Sequence, residues 1–309
     1  MNIGSLLGAR VITSTSTIVT RGRLRVLAYH DIGDASAFGR QLDFLLDSGY
    51  QTVTGSEVAD ALMGLRELPP KPVWITFDDG LPEVFTSGLS LLSARNMKAT
   101  AFVCPAVIGT CKPYWWTVVD DAVSFGLVVE DDVGVIEADA IRKRLKEMTD
   151  TQRRAIVEIF AGRLATVSDR VEKPQLTLEA LRVWCSDGHE VGNHSWDHPC
   201  LDRCDPGEQE RQVSEAHEAL THILGTPPQV FAWPNGNEAP AALSLLTLLG
   251  YRLVVKFDHR ICTASPDMIA ISRLRVDSSA DLSRFRSIVS GVHPALFQLN
   301  RRARAWSRG

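Results

Sequence analysis

Short β-rich runs alternate with longer amphipathic segments along most of this chain. Two of the amphipathic segments, residues 37–47 and 206–224, place apolar side chains on one helical face. A strand followed by a helix, repeated seven or eight times, predicts a parallel α/β barrel in which each helix covers the neighbouring strands. The candidate strands are residues 24–29, 51–54, 73–77, 99–103, 189–193, 229–233, 251–255 and 269–274.

Residues 114–174 interrupt this alternation. They contain charged helical sequence at residues 138–148 and, after a capping box formed by Thr149 and Gln152, at residues 153–164. We interpret them as a helical insertion into the barrel. The other expected regions are an N-terminal extension (1–23), the barrel itself (24–290) and a basic C-terminal tail (291–309), of which residues 301–309 are expected to be a solvated end.

The insertion opens on Tyr114, Trp115 and Trp116. Indole rings pack on the faces of sugar rings, so these side chains are candidates for lining a sugar-binding cleft. Aromatic residues also dominate core burial, and anchoring the insertion in the core is the alternative interpretation.

Composition excludes several classes of protein. The net charge of −4 argues against a nucleic-acid-binding surface. No apolar run approaches the ~20 residues of a membrane-spanning helix. Residues 1–20 contain Arg10 and four threonines where a signal peptide needs an uninterrupted apolar stretch, so we expect a cytoplasmic protein. Six cysteines are sparse for 309 residues, which favours free thiols over a disulfide framework.

Two adjacent carboxylates, Asp78 and Asp79, directly follow the candidate strand 73–77. Barrel enzymes place their catalytic groups at the carboxyl ends of strands, and two like charges so close together need a compensating partner. A metal ion is such a partner, because it can take one carboxylate as a ligand and leave the other as a base. An Asp-Gly turn without chemistry is the structural alternative.

Two histidines four residues apart, His194 and His198, follow the candidate strand 189–193. Neutral imidazoles are good ligands for zinc and neighbouring metals, although this spacing alone is a weak signal. With one aspartate they would provide three ligands and an open position for water. His30 ends the first candidate strand and is expected at the same rim. Residues 233–236 follow another strand and read as a turn.

Together these motifs resemble the polysaccharide deacetylase family, the NodB homology or carbohydrate esterase family 4 group. Residues 76–80 match its first motif without change, and residues 194–198 match its His-Ser/Thr-x-x-His motif. The resemblance covers roughly residues 24–274. It implies a distorted (β/α) barrel of about seven strands. It also implies a metal-dependent N-deacetylase that hydrolyses the acetamide of an N-acetylated sugar, whether glycan, lipid-linked or small glycoside, to amine and acetate.

Carried over to this sequence, the resemblance implies that Asp78 is the general base. It implies that Asp79, His194 and His198 hold one divalent metal ion, zinc or alternatively cobalt, nickel, manganese or iron. His30 corresponds to an early Tyr-His motif in a branch that resembles poly-N-acetylglucosamine deacetylases, which implies that it protonates the departing amine.

The family's third motif, R-x-P followed by an aromatic residue, departs here to Ala232, Trp233, Pro234 and Asn235. The base therefore needs a substitute for the missing arginine, and a backbone N–H at this turn would bind the developing oxyanion. The expected substrate or oxyanion residues are Trp233, Pro234, Asn235, Tyr114 and Trp115, with Arg273 or Arg275 orienting the base.

Three other hypotheses remain open at this point. One is a metal-dependent hydrolase of another non-peptide linear or cyclic amide. Another is a non-catalytic carbohydrate-binding barrel, motivated by Ala232 and Asn235. The third is a structural zinc module that uses Cys200 and Cys204, which follow His198 closely but lack a complete ligand set.

Overall fold

The computed structural model describes residues 24–167, 173–262 and 270–306. The expected N-terminal extension, residues 1–23, lies outside this range, as do the last three residues of the tail. The described chain forms one sheet of parallel strands with helices between them. The strands are β1 (Arg25–Tyr29), β2 (Gln51–Thr52), β3 (Pro72–Phe77), β4 (Ala99–Val103), β5 (Glu190–Asn193), β6 (Val230–Ala232), β7 (Leu253–Val255), β8 (Ala270–Ile271) and β9 (Leu274–Arg275).

The sheet curls because its two edges are joined by a single segment, residues 270–275. The strand order is β8-β7-β6-β5-β4-β3-β1-β9, and β2 pairs with the first residues of β3. Only Ser272 and Arg273 separate β8, which pairs with β7, from β9, which pairs with β1. With that segment counted once and β2 set aside, seven strand positions surround the barrel among the described residues. This confirms the predicted distorted (β/α) barrel.

Burial on both faces explains the continuous apolar runs in the central strands. Every residue of β3 and β4 is buried, as expected for parallel strands covered on both sides. Trp74 and Phe102 belong to an apolar cluster that comes mainly from six strands and also includes three residues of α2, and their ring centroids lie 6.3 Å apart. Their sequence neighbours Ile75 and Ala101 belong instead to a cluster shared with the surrounding helices.

Twelve α-helices lie in the described residues. Those outside the insertion are α1 (Ala35–Asp47), α2 (Gly55–Leu62), α3 (Ser87–Ser93), α8 (Leu178–Ser186), α9 (Pro206–Leu224), α10 (Pro240–Leu248), α11 (Leu282–Ser290) and α12 (Val292–Trp306). Side-chain caps at Asp34, Thr54 and Asp205 accept backbone N–H groups at the starts of α1, α2 and α9. None of the described helices is both long and apolar enough to span a bilayer.

The insertion lies between β4 and α8 and has an apolar core of its own. Its helices are α4 (Trp115–Ser124), α5 (Glu130–Val133), α6 (Ala138–Glu147) and α7 (Asp150–Leu164). Side chains such as Val119, Ile141 and Phe160 form a cluster separate from the barrel clusters. Helix α7 begins three residues earlier than we predicted, because Thr149 is its N-cap and the capping-box residues already belong to its first turn.

The part of the expected tail that the structure describes is the helix α12. It contacts the loop after β7: the Gln298 side chain donates to the Asp258 carbonyl oxygen at 3.0 Å, and Phe297 packs edge-on against His259. His293 and His259 are joined by a hydrogen bond of 2.8 Å between ring nitrogens. Residues 293–298 of the tail, which precede the end expected to be solvated, therefore pack against this loop of the barrel.

Candidate active site

Side chains from the carboxyl ends of several strands meet in one cleft. The strand ends are brought to one rim because all strands run parallel. The cleft has a volume of about 490 Å³. The sequence-predicted residues that line it are His30, Asp78, Asp79, Trp115, His194, His198, Trp233, Asn235 and Arg275.

Unusual backbone conformations are concentrated at this rim. Asp79, Ser195, His198 and Asn235 account for four of the six described non-glycine residues with positive φ. Such conformations cost free energy, and structures retain them mainly where function depends on them. At Asp79 the turn continues through Gly80, also at positive φ, and Asp-Gly pairs tolerate this geometry well.

Asp78 is held by Arg273, which lies between the two edge strands. The guanidinium donates to both carboxylate oxygens, at 2.6 and 2.7 Å, and both side chains are almost completely buried. Arg273 also donates to Thr76 Oγ1 and to the Lys256 carbonyl oxygen. Burial alone would raise the pKa of Asp78, but the charges of Arg273 and His194 hold it below its usual value.

The structure thereby separates the two arginines that we considered as substitutes. Arg273 contacts Asp78, whereas Arg275 donates to the carbonyl oxygen of Phe257 and its guanidinium lies 4.2 Å from the Phe257 ring centroid. Residues two apart in a regular strand would share a face, but Arg273 lies in the link between β8 and β9, whereas Arg275 is the last residue of β9.

Asp79, His194 and His198 bring their ligand atoms together. One oxygen of Asp79, Oδ1, lies 3.3 Å from Nε2 of each histidine, and all three side chains are nearly buried. The three ligand atoms lie within 4.8 Å of one another, and no other such group of three occurs in the part of the chain that the structure describes.

The hydrogen bonding of this cluster fits a bound cation. His194 Nδ1 lies 2.8 Å from the Ala232 carbonyl oxygen, so this nitrogen carries a proton. In the neutral ring Nε2 then offers a lone pair toward Asp79 Oδ1, which is buried and has no hydrogen-bond donor. Two buried hydrogen-bond acceptors that face each other without a donor are energetically unfavourable. A divalent ion bound by both atoms would remove this cost.

The pKa values of the two histidines move in opposite directions. Burial alone would lower the pKa of His194, but the charges of Asp78 and Asp79 raise it. Burial keeps the pKa of His198 below its usual value despite the attraction of Asp79. Burial acts to raise the pKa of Asp79, and His198 and His194 nevertheless hold it well below the usual range.

The aromatic residues at the start of the insertion pack against the loop that carries His198. Trp115 is largely buried, and its Nε1–H donates to the His198 carbonyl oxygen at 3.2 Å. Tyr114, which we expected in the cleft, does not line it. Its hydroxyl donates to the Asp79 carbonyl oxygen, and its ring stacks on Trp116 at 4.4 Å. Trp116 lines the cleft and meets the His198 ring edge-on.

A network of ion pairs centred on Arg154, here called the brace, joins helix α7 of the insertion to the loop that carries His198. Arg154 of α7 contacts both carboxylate oxygens of Asp197, at 2.9 and 3.1 Å, and also contacts Asp150 and Glu208. Gln212 accepts the backbone N–H of Asp197 and donates to its side chain. No sequence pattern signals this brace, because Arg154 lies 43 residues from Asp197.

His30 and the turn after β6 complete the cleft. The His30 ring packs edge-on against Phe257 at 5.0 Å, and no described residue forms a hydrogen bond with it. The Trp233 N–H donates to the Val255 carbonyl oxygen, and Pro234 has no N–H. Asn235 therefore has the backbone N–H that remains for a ligand at residues 233–235, while its side chain donates to Cys200 Sγ.

Cys200 and Cys204 do not form a metal cluster with any third ligand in the described ranges. All six cysteines are free thiols. Burial raises the pKa of both Cys200 and Cys204, which favours neutral thiols. The structure thus gives no support to the structural zinc module.

Several residues of the cleft were missed by the sequence reasoning. Phe257 and Asn237 follow the ends of β7 and β6, and the strand-end argument could have included them. Arg142 and Lys146 come from α6 of the insertion. No motif signals them, because only the packing of the insertion brings that helix to the rim.

Comparisons with known proteins show which proteins the chain is similar to. The family model described as polysaccharide deacetylase matches residues 66–254. The chain is 20% identical over 277 residues to YxkH of Bacillus subtilis (strain 168), which covers 87% of this chain and 77% of that protein. It is 26% identical over 254 residues to the poly-beta-1,6-N-acetyl-D-glucosamine N-deacetylase of Escherichia coli (strain K12), covering 81% of this chain but only 34% of that enzyme.

The fold is also similar to that of a solved structure. Streptococcus pyogenes deacetylase PplD, in complex with acetate, superposes with a TM-score of 0.60 at 18% identity. The match covers 86% of this chain and 97% of PplD. At this identity the likeness establishes the shared architecture.

Proposed function

The chain belongs to the polysaccharide deacetylase family, and from that premise we propose that it is a metal-dependent N-deacetylase of an N-acetylated carbohydrate. The reaction cleaves the acetamide C–N bond with water and yields a free amine and acetate. The named activity of the Escherichia coli relative supports this choice, although that relative is about three times as long as the shared region.

One observation carries the proposal. An Asp-His-His cluster that fits a metal ion lies beside a carboxylate, Asp78, which is held in its charged form by Arg273. A carbohydrate-binding protein needs neither the cluster nor an adjacent base, whereas hydrolysis of an unreactive amide needs both.

Asp79, His194 and His198 would hold the ion. When bound, a divalent ion supplies Lewis acidity and lowers the pKa of water. Asp78 accepts the proton of the attacking water, and Arg273 keeps the carboxylate oriented and ionised. The Asn235 N–H donates to the developing oxyanion.

His30 protonates the leaving nitrogen. An amine leaves poorly unless a proton reaches it as the C–N bond breaks, so a general acid must face the cleft. His30 lines the cleft and its ring nitrogens have no hydrogen-bond partner among the described residues. Both nitrogens are therefore available to a substrate.

The test is acetate release by the purified full chain, measured on a panel of N-acetylated sugars before and after chelation and after reconstitution with Zn²⁺, Co²⁺, Ni²⁺ or Mn²⁺. We expect release to stop on chelation and to return with at least one ion. Sugar binding without acetate release in any reconstituted sample would contradict the proposal.

A double variant, Cys200→Ser with Cys204→Ser, is the matched control for the metal. Because these thiols lie outside the Asp-His-His cluster, the variant should keep both its bound ion and metal-dependent release. Loss of the ion from a folded double variant would instead assign the metal to the cysteines.

A further inference from the structure

The walls of the cleft carry more positive than negative side chains. Asp78 and Asp79 are its lining carboxylates, whereas Arg142, Lys146 and Arg275 are lining cations. The whole chain has 37 acidic and 33 basic residues. An unselected part of its surface should therefore carry at least as many carboxylates as cations, and the walls of this cleft depart from that expectation.

The two carboxylates do not neutralise these cations. Asp78 already pairs with Arg273 through both oxygens. Asp79 directs its buried oxygen at His194 and His198, where a divalent ion would add two positive charges. The excess positive charge on the walls is therefore not balanced by these carboxylates, and a positively charged cleft attracts negatively charged ligands.

Arg275 is a fixed cation on the barrel side of the cleft. Two of its guanidinium nitrogens, Nε and Nη2, donate to the Phe257 carbonyl oxygen, and the group stacks 4.2 Å from the Phe257 ring centroid. No described carboxylate forms an ion pair with it, and Nη1 remains for a ligand. Because Phe257 also contacts His30, this charge lies close to the side of the cleft where the amine departs.

Lys146 and Arg142 face the cleft from the insertion. They are one helical turn apart on α6 and so share a face. Arg142 is tethered by ion pairs with Asp120 and Asp139. Lys146 forms no ion pair with any described residue. Lys143 lies on the same helix, is exposed and does not line the cleft.

We propose that the substrate is an N-acetylated sugar bearing an anionic substituent, a phosphate ester or a carboxylate, which Arg275 and Lys146 bind from opposite walls while Arg142 adds attraction. This inference rests on the proposed deacetylase function and narrows its substrate class. Guanidinium and ammonium groups bind oxyanions through short, charge-assisted hydrogen bonds.

The test compares kcat/KM of the reconstituted chain on four sugars: neutral methyl N-acetylglucosaminide, N-acetylglucosamine 1-phosphate, its 6-phosphate isomer and N-acetylmuramic acid. We expect at least one anionic sugar to exceed the neutral one by about tenfold or more, which corresponds to one charge-assisted contact. The two phosphates and the carboxylate distinguish the source and position of the charge.

Variants connect the preference to these side chains. Lys146→Gln and Arg275→Gln should each reduce the ratio of anionic to neutral kcat/KM by about five- to tenfold, mainly through KM. The matched control Lys143→Gln should leave the ratio unchanged. A ratio that stays constant in both cleft variants would overturn the assignment.

A second measurement separates wall binding from direct coordination of phosphate by the ion. In the metal-free chain the preferred anionic sugar should still bind more tightly than the neutral one, and calorimetry should show this difference shrink as salt rises. Equal acetate release from neutral and anionic sugars would refute this inference alone. No release from any sugar would refute the proposed function itself.

Discussion

The cleft has two halves, each built around one of two neighbouring aspartates, and the charges around the two aspartates differ. The base half consists of Asp78 and its partner Arg273, whose charges and hydrogen bonds satisfy each other. The metal half consists of Asp79, His194 and His198, and it leaves a buried carboxylate oxygen without a donor. Both aspartates are nearly buried, so burial does not distinguish them.

The difference shows that the partner, rather than the burial, sets the role of each carboxylate. Arg273 is a permanent cation, so Asp78 is balanced in the protein itself. The imidazoles facing Asp79 offer lone pairs in their neutral form, so this half can be completed by a bound cation. Asp79 has a positive φ, and its carboxylate faces the two histidines instead of Arg273.

The largest expected effect comes from removing the anionic ligand of the metal half. Asp79→Asn keeps the shape of the side chain but removes its charge, so we expect loss of the bound ion and a fall in turnover of about 10³-fold or more. Atomic absorption of the dialysed variant and acetate release check this. One equivalent of tightly bound metal in the Asp79→Asn variant would show that the metal half does not depend on the Asp79 carboxylate.

The matched change in the base half should separate metal binding from catalysis. Asp78→Asn removes the proton acceptor, so turnover should fall by about 10²- to 10⁴-fold while one equivalent of metal is retained. The exposed Asp47→Asn serves as a control that should change neither quantity. Normal acetate release by Asp78→Asn would show that the two halves are assigned wrongly.

Loss of Arg273 should destabilise the protein as well as the base. Arg273→Leu leaves the Asp78 carboxylate buried and unpaired, which should lower the free energy of unfolding by about 3–5 kcal/mol. Urea unfolding measures this change. Arg260→Leu is the control, since Arg260 is about half exposed and lies 3.9 Å from Asp258. Equal stability of the two variants would show that the base half is not held as described.

The brace from the insertion should affect the metal half alone. Arg154→Ala removes the contacts to Asp197, next to the ligand His198, so we expect the metal affinity to fall by about 10- to 100-fold. Arg163→Ala on the same helix breaks a pair with Asp132 inside the insertion and should leave metal affinity unchanged. Competition with a chelator measures both. Equal losses of metal affinity in the two variants would show that the brace only stabilises the insertion and does not position His198.

The smallest effect concerns pH and the other end of β5. His189 precedes this strand as His194 follows it, but burial, followed by the charge of Lys98, lowers the pKa of His189 to about 4. Its Nδ1 accepts the Ala99 N–H at 3.1 Å, so the folded protein needs the neutral ring. The unfolded chain binds this proton near pH 6.5, and stability should therefore fall as pH drops from 6.5 toward 4.

At pH 5.5 this loss should be about 1 kcal/mol relative to pH 7.5. Other groups titrate in the same window, so the measurement is the difference in unfolding free energy between the protein and His189→Asn at each pH. The two curves should converge as the pH falls. Parallel curves would mean that His189 titrates alike in the folded and unfolded chain.

The sequence identified the site wherever its signal is local. Asp78 and Asp79 come right after β3 and His194 comes right after β5, and parallel strands carry their carboxyl ends to the same rim. A short motif and its strand therefore suffice to place these side chains near each other. The alternation of strands and helices predicted seven or eight strand-helix units, and seven strand positions surround the barrel among the described residues.

Only the tertiary structure decided which remote side chains complete each half. Arg273 and Arg275 are equally plausible in sequence, and the closure of the sheet through residues 270–275 directs the first to Asp78. The packing of the insertion puts Tyr114 behind Asp79 and brings Lys146 to the cleft. Partners so distant along the chain leave no pattern in it, because the free energy of packing fixes their position only once the barrel has closed.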